Sequence, residues 1–281
     1  MAWRRERPQA ISAADDLRGG AAFLTEGQEI ERDAYAYMAY GAIGATQIVL
    51  SEVSEDSPLA LRAVRLQVEF LEDPAGQAGA VEAALEDLLS DPSSSSNGVL
   101  LYVAGVIYNH LGRFDDALKL NQTGVTLENL SLCVAIGIAI DRPDFAEKMV
   151  KRMSEWDDDA TITQLATAWL GAYGGGALAR DALIIYEELG GRWSWTPKLL
   201  NGAATTCMVM HEWEEAEQHL MNALTKDPKD ADTLANLYVV SKNLHKNAER
   251  YLSQLSTIAP DHPLIAKRAS LETAFDQAAH V

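Results

Sequence analysis

Small side chains recur along this chain at intervals that suit a stack of similar helical hairpins. Ala182 and Ala216 lie 34 residues apart, and the larger residues that follow them, Tyr186 and Leu220, keep the same spacing. Residues four apart lie on one face of a helix, so each pair forms an apolar stripe that begins with a small residue. A period of this length indicates repeated supersecondary units, and this constrains the fold more than any other feature.

The clearest unit runs from Pro197 to Pro228. It contains two helical segments, each with one apolar stripe. The stripe residues are Leu200, Ala203, Ala204 and Cys207 in the first segment, and Ala216, Leu220 and Ala223 in the second. This order of small and large residues is typical of the tetratricopeptide repeat, which has two antiparallel helices in about 34 residues.

Similar stripes predict further units on both sides of this one. Their residues are Leu101, Ala104, Gly105, Tyr108, Ala117 and Asn121; Leu130, Cys133, Val134, Gly137, Ala146, Val150 and Met153; Ala166, Trp169, Leu170, Tyr173, Ala182, Tyr186 and Leu189; and Leu234, Leu237, Tyr238, Ala248, Leu252 and Leu255. The alanines that open the second helices are spaced unevenly, by 29, 36 and 34 residues. Loop lengths must therefore differ between units.

The predicted fold class is all-α: a right-handed α-solenoid of tetratricopeptide-like helical hairpins, irregularly curved, with a C-terminal capping helix. The capping helix follows Pro263 and carries Leu264, Leu271 and Phe275 on one stripe, because a repeat array needs a terminal element with a polar outer face. Residues 31–281 are predicted to form a single repeat domain. Residues 1–30 show little periodicity and are predicted to be a divergent, partly ordered segment.

The charge of the chain argues against two classes of partner. The formal net charge is −18 and the sequence pI is about 4.6, so the chain repels nucleic-acid phosphates and anionic lipid head groups. The longest apolar run, Leu132 to Ile140, is far too short to span a bilayer. We therefore expect no nucleic-acid partner and no direct membrane insertion. Two cysteines form no disulfide framework and fit a reducing compartment.

No residue pattern in the sequence indicates catalysis, a cofactor or a metal site. The histidines stand in no H-E-x-x-H frame and near no cysteine pair; they are His110, His211, His219, His245, His262 and His280. Cys133 and Cys207 fall on core stripes and are interpreted as buried structural thiols. The run Asp157–Asp159 is interpreted as a helix cap at Asp159, and Gly174–Gly176 as a turn.

Several strings of residues are more specific than the repeat itself. They are Ala160–Trp169 (ATITQLATAW) after three aspartates, Leu200–Gly202 with Trp213–Glu217, Asp232–Leu237, Arg250–Leu255, and, further forward, Glu31–Asp33 and Asp144–Lys148. In this order they resemble the epsilon subunit of coatomer over residues 31–281. Residues 1–30 depart from that family, whose usual first helix is absent here.

The resemblance implies a function that the repeats alone do not. A protein of this family is expected to be a non-catalytic structural subunit of the COPI vesicle coat, without a cofactor. It would bind the C-terminal region of the coatomer alpha subunit and serve Golgi-to-endoplasmic-reticulum and intra-Golgi transport. It would be cytoplasmic, and peripheral on Golgi membranes and COPI-coated vesicles through the coat complex. The alternative is another cytosolic tetratricopeptide adaptor that binds a peptide in its concave groove.

The first helix of each repeat would line the concave surface. Positions offset by one from the core stripe are predicted to point inward and to bind the partner; they are Val99, Tyr102, Val106, Asn109, Ser131, Ala135, Ile138, Thr167, Asn201, Thr205, Met208, Ala235 and Val239. This set is poor in charge, as interface cores are. The alternative is that the array closes on itself and buries them. A carboxylate-clamping groove would find only Lys198 and Asn201 there.

Overall fold

The computed structural model describes residues 24–279, and within that range the chain is helical and contains no β-strand. The fifteen α-helices are α1 (Glu26–Ala42), α2 (Thr46–Glu52), α3 (Leu59–Glu72), α4 (Pro74–Leu89), α5 (Gly98–His110), α6 (Phe114–Asn121), α7 (Leu127–Ala139), α8 (Pro143–Asp157), α9 (Thr161–Gly174), α10 (Gly176–Arg192), α11 (Pro197–Val209), α12 (Trp213–Lys226), α13 (Ala231–Asn243), α14 (Glu249–Ile258) and α15 (Pro263–Ala279). A 3₁₀ turn at Ser94–Ser96 precedes α5.

The chain divides into two compact units, Met1–Thr163 and Gln164–Val281. In the first unit, α1, α3, α5 and α7 pack in succession as one layer, and α2, α4, α6 and α8 pack against them. This unit has its own apolar core, in which Tyr40, Phe70, Leu85 and Ile107 are fully buried.

The second unit repeats the same arrangement. Helices α11 and α13 lie side by side, and α10, α12 and α14 pack against them. Its core includes the fully buried Leu220, Leu234 and Leu237. The all-α fold of stacked hairpins that the sequence predicts is therefore confirmed. The single domain predicted for residues 31–281 stays a prediction.

Five of the described hairpins share one type of turn, and it explains where their first helices end. The middle residue of the turn has a positive φ in each case: Gly44 (72°), Gly112 (74°), Asp141 (59°), His211 (63°) and His245 (56°). The next backbone N–H donates to a carbonyl in the last turn of the first helix, as Glu212 N does to Cys207 O at 2.9 Å. Such a left-handed residue ends a helix and satisfies its last carbonyls.

Side chains cap the starts of five of the first helices, α1, α5, α7, α11 and α13. Thr25, Asn97, Thr126, Thr196 and Asp230 each accept a hydrogen bond from a backbone N–H in the following helical turn. These groups would otherwise have no partner in the helix. Ahead of α9, Asp157 Oδ1 accepts from the N–H groups of Asp159 and Ala160, both at 3.1 Å. Asp157, the last residue of α8, thus holds the turn before α9, and the cap predicted at Asp159 stays a prediction.

The predicted core stripes are confirmed in most helices. Every stripe residue named above in α5, α7, α11 and α12 is buried. Helix α1 begins at Glu26, so part of the segment predicted to be divergent is regular helix. Residues 1–23 and His280 lie outside the described residues. Helix α15 follows Pro263 as predicted, but Leu271 and Phe275 on its stripe are 69% and 74% exposed.

The stripe predicted for α9 is only partly correct: Ala166 is buried, but Trp169, Leu170 and Tyr173 are not. Gly171, and not Leu170, faces Ala182, since a Cβ added at Gly171 would lie 3.1 Å from the Ala182 Cβ. The turn between α9 and α10 is the single residue Gly175, whereas three residues separate α11 from α12. The shorter turn changes which side of α9 faces α10 and leaves Trp169 and Tyr173 exposed by 37% and 43%.

Candidate partner-binding surface

The thirteen predicted contact residues all lie on the first helices of their hairpins, α5, α7, α9, α11 and α13. Four of them are buried: Val99, Ser131, Asn201 and Ala235. The remaining nine are half-buried: Tyr102, Val106, Asn109, Ala135, Ile138, Thr167, Thr205, Met208 and Val239. Because α9 is turned relative to the prediction, the offset that selected Thr167 does not apply there. The half-buried residues are the ones whose side chains a partner can reach.

In the first unit, Tyr102 on α5 lies near a carboxylate that the sequence did not single out. Burial, and then the charge of Glu128 on α7, raise the pKa of Tyr102. The same influences raise the pKa of Tyr35 on α1: burial first, followed by Glu128 and then Glu31. Glu128 therefore lies close to tyrosines from two other helices. Sequence reasoning missed Tyr35 and Glu128 because they are 93 residues apart and belong to no repeat stripe.

The N-terminal ends of α1, α3, α5 and α7 border one cleft of about 430 Å³. Its lining is mixed: apolar residues alternate with polar ones, and Glu31 supplies a negative charge. The lining residues are Gly27, Ile30, Glu31, Ala60, Ser93, Ser96, Asn97, Gly98, Val99, Val125 and Thr126. Of the predicted contact residues, only Val99 belongs to this cleft.

In the second unit, Asn201 holds two consecutive hairpins together. Its Nδ2 donates to Thr233 Oγ1 at 2.7 Å and to the Pro197 carbonyl oxygen at 2.9 Å, and its Oδ1 accepts from Asn236 Nδ2 at 2.9 Å. A side chain used in this way is not available to a ligand. The predicted contact residues on α11 and α13 that are half-buried are Thr205, Met208 and Val239.

Lys198 is also engaged within the protein. Its Nζ donates to Asp232 Oδ2 at 2.9 Å, and this hydrogen bond is the main cause that raises the pKa of Lys198. The two residues that a carboxylate-clamping groove would need, Lys198 and Asn201, are thus both committed to contacts between neighbouring hairpins. This observation counts against a groove that recognises a peptide C-terminus.

One group of side chains in the second unit combines three metal-binding donor types. The Cys207 thiol on α11 meets Glu215 and His219 on α12, with one ligand atom of each lying within 4.8 Å of the others. Cys207 is fully buried, His219 is half-buried and Glu215 is exposed. The sequence-based view of Cys207 as a core thiol and His219 as a surface residue did not bring these residues together.

Comparison with known proteins defines the class first. A tetratricopeptide repeat protein from Parabacteroides merdae superposes with a TM-score of 0.61 over 94% of this chain and 97% of its own, at 14% identity. The Cut9–Hcn1 hetero-tetramer of the APC/C gives a TM-score of 0.65 over 92% of this chain and 51% of that chain, at 10% identity. At these identities the likeness concerns the fold alone, and it places the chain among tetratricopeptide-type helical repeat proteins.

Sequence comparison then gives the family. Residues 21–281 match the coatomer epsilon subunit family. Coatomer subunit epsilon-1 of Oryza sativa subsp. japonica is 41% identical over 88% of this chain and 85% of its own length, and coatomer subunit epsilon-1 of Arabidopsis thaliana is 38% identical over 91% and 87%. Coatomer subunit epsilon of Caenorhabditis elegans is 32% identical over 90% and 88%. The chain belongs to the coatomer epsilon subunit family, and the predicted resemblance is confirmed.

Within residues 24–279, none of the helices is both long enough and apolar enough to cross a membrane.

Proposed function

We propose that this chain is a non-catalytic structural subunit of the COPI coat that binds the C-terminal region of the coatomer alpha subunit. In this role it would serve Golgi-to-endoplasmic-reticulum and intra-Golgi transport, from the cytoplasm and from coated membranes that it reaches through the coat complex. The observation that carries the proposal is the family match over residues 21–281, combined with a fold made of stacked hairpins.

The binding surface we propose is the half-buried part of the first-helix wall. In the first unit it centres on Tyr102 and Val106, one helical turn apart on α5 and both half-buried. An aromatic and an aliphatic side chain that are partly desolvated already have the character of an interface core. Glu128, which lies near Tyr102, would favour a hydrogen-bond donor or a basic side chain on the partner.

The test is a binding measurement with the purified chain and the alpha subunit's C-terminal region. Tyr102→Asp and Val106→Asp each place an unpaired charge in the proposed interface, and such burial is unfavourable. We expect each to weaken binding at least about 30-fold, which corresponds to about 2 kcal/mol. The control is Ile184→Asp, since Ile184 is 47% exposed. It lies on α10, the second helix of its hairpin, and therefore outside the proposed surface. We expect this variant to bind as the wild type does.

Three results separate the parts of the proposal. If the wild-type chain does not bind the alpha region, the proposed partner is wrong. If the wild type binds and the Tyr102→Asp and Val106→Asp variants fold and bind equally well, the proposed partner is correct but the proposed surface is wrong. If affinity capture from cytosol returns chaperone tails and no coat subunits, the chain is another tetratricopeptide adaptor.

A further inference from the structure

We propose that the α11–α12 hairpin binds one divalent transition-metal ion of the zinc class through Cys207, Glu215 and His219. This inference goes beyond the proposed function and does not depend on the alpha subunit. It rests on the convergence of three side chains that are all metal ligands and that come from two helices of one hairpin.

The hairpin geometry explains why the three residues meet. Cys207 lies in the last turn of α11, and the left-handed residue His211 reverses the chain so that α12 packs against α11. Glu215 and His219 are four residues apart on α12 and therefore share one face of that helix. That face brings both side chains to the Cys207 sulfur.

The donor set matches zinc coordination. Zn²⁺ takes cysteine sulfur, histidine nitrogen and carboxylate oxygen at about 2.0–2.3 Å in a tetrahedral arrangement, which places ligand atoms roughly 3.5 Å apart. The three atoms here lie within 4.8 Å of one another without an ion. An approach of about 1 Å, available through rotation of the Glu215 and His219 side chains, would complete three of the four positions. Water would fill the fourth.

The carboxylates near the group supply negative charge that attracts a cation, whereas burial of the thiol opposes the loss of its proton. Burial first, and then the negative charges of Glu215, Glu212 and Glu187, raise the pKa of the Cys207 thiol to about 12. At neutral pH the thiol keeps its proton, which would pass to solvent when the ion forms its bond to sulfur. The ring of Trp195 packs beside that of His219, with 5.7 Å between the ring centroids.

Cys133 provides the internal comparison. It is buried in the same way, on the core stripe of α7, and burial likewise raises its pKa to about 12. Among the described residues, however, it belongs to no group of three possible metal ligands. Core packing accounts for both cysteines, whereas it does not require a carboxylate and an imidazole beside Cys207.

Cobalt(II) titration of the purified full-length chain tests the proposal, because a cobalt–thiolate bond gives a charge-transfer absorption band that carboxylate and imidazole ligands do not produce. We expect the band to saturate at one ion per chain, and added Zn²⁺ to displace Co²⁺ and abolish it. Cys207→Ala should remove the band, and Glu215→Gln and His219→Gln should weaken cobalt binding at least about tenfold. The matched controls Cys133→Ala, Glu214→Gln and His211→Gln should titrate like the wild type.

The proposal fails if excess Co²⁺ produces no thiolate band, or if binding is unchanged by His219→Gln. A third result would also overturn the proposal: both the wild type and Cys207→Ala bind Co²⁺, and neither shows the thiolate band. Such binding would be adventitious binding to surface carboxylates. Circular dichroism checks that each variant is folded. If Cys207→Ala does not fold, His219→Gln decides the outcome, because His219 is only half-buried.

Discussion

A single methyl group added at Gly105 tests how tightly the hairpins of the first unit are packed. Gly105 lies on α5, and a Cβ built there would be 2.2 Å from Asn121 Nδ2 and 2.6 Å from Leu132 Cδ2. Asn121 cannot move away without loss, because its Nδ2 donates to the carbonyl oxygens of Leu101 and Ala117, both at 3.0 Å. Its Oδ1 also accepts from Asn129 Nδ2 at 2.7 Å.

The expected cost of Gly105→Ala follows from three contributions. Overpacking a filled core costs about 1–3 kcal/mol. Breaking one hydrogen bond of the buried Asn121 amide adds about 1 kcal/mol. Alanine offsets part of this, since it is more favourable than glycine inside a helix by about 1 kcal/mol. The free energy of unfolding should therefore fall by about 1–3 kcal/mol.

Urea unfolding followed by far-ultraviolet circular dichroism measures this change. The matched control is Gly79→Ala in α4 of the same unit, where an added Cβ would have no atom within 4 Å. The free energy of unfolding of this control should rise by up to about 1 kcal/mol, from helix propensity alone. If Gly105→Ala is as stable as Gly79→Ala, the packing argument is wrong. Adding Asn121→Ala to Gly105→Ala should cost less than the sum of the single changes, because it removes the atoms that the new methyl group meets.

Three further changes test other parts of the fold. Ala216→Trp should lower the free energy of unfolding by at least about 1–3 kcal/mol in the same urea assay, since Ala216 is completely buried; a neutral result would contradict the repeat phase. His245→Gly should raise the free energy of unfolding by about 0.5–1 kcal/mol, because His245 is exposed with φ of 56° and glycine adopts that conformation without strain. A loss of stability would show that the histidine ring contributes more to folding than relief of the backbone strain does. Burial raises the pKa of Tyr186 from 10.0 to about 12. The contribution of this tyrosine to the free energy of unfolding is therefore complete below pH 10 and is lost as the pH rises towards 12. Between pH 10 and 12, Tyr186→Phe should therefore lose roughly 2–3 kcal/mol less of its free energy of unfolding than the wild type does. Unfolding curves of both proteins at several alkaline pH values measure this difference. An equal loss in the two proteins would show that the reasoning is wrong.

The core of the repeats could be predicted because spacing alone determines it. Leu200, Ala204 and Ala216 are buried where a 34-residue template puts them, since each position faces a neighbouring helix whatever the loops do. The phase of α9 could not be predicted in that way. Three consecutive glycines permit turns of different lengths, and the observed one-residue turn at Gly175 changes the face that α9 presents to α10.

The candidate surface was predicted less well than the core. The offset rule placed its residues on the correct helices, but it could not distinguish a free side chain from one that joins two hairpins. Asn201 bonds to Thr233 and Asn236, which are 32 and 35 residues away. The group formed by Cys207, Glu215 and His219 is hidden for a related reason. Its members are separated by eight and four residues, a spacing that becomes meaningful only when the hairpin folds.

The buried amides suggest how a stack of similar hairpins keeps one alignment. Apolar stripes of similar size can slide past one another at little cost, because hydrophobic contacts are not directional. Asn121 and Asn129 are completely buried and bond to each other, and Asn129 also donates to the Gly98 carbonyl oxygen at 3.1 Å. Sliding α7 along α5 by one turn would break both hydrogen bonds that Asn129 Nδ2 donates and would leave Asn121 Oδ1 without its donor, at about 1–3 kcal/mol for each unsatisfied group. The two asparagines therefore favour the observed register over its neighbours, which apolar residues of the same volume could not do.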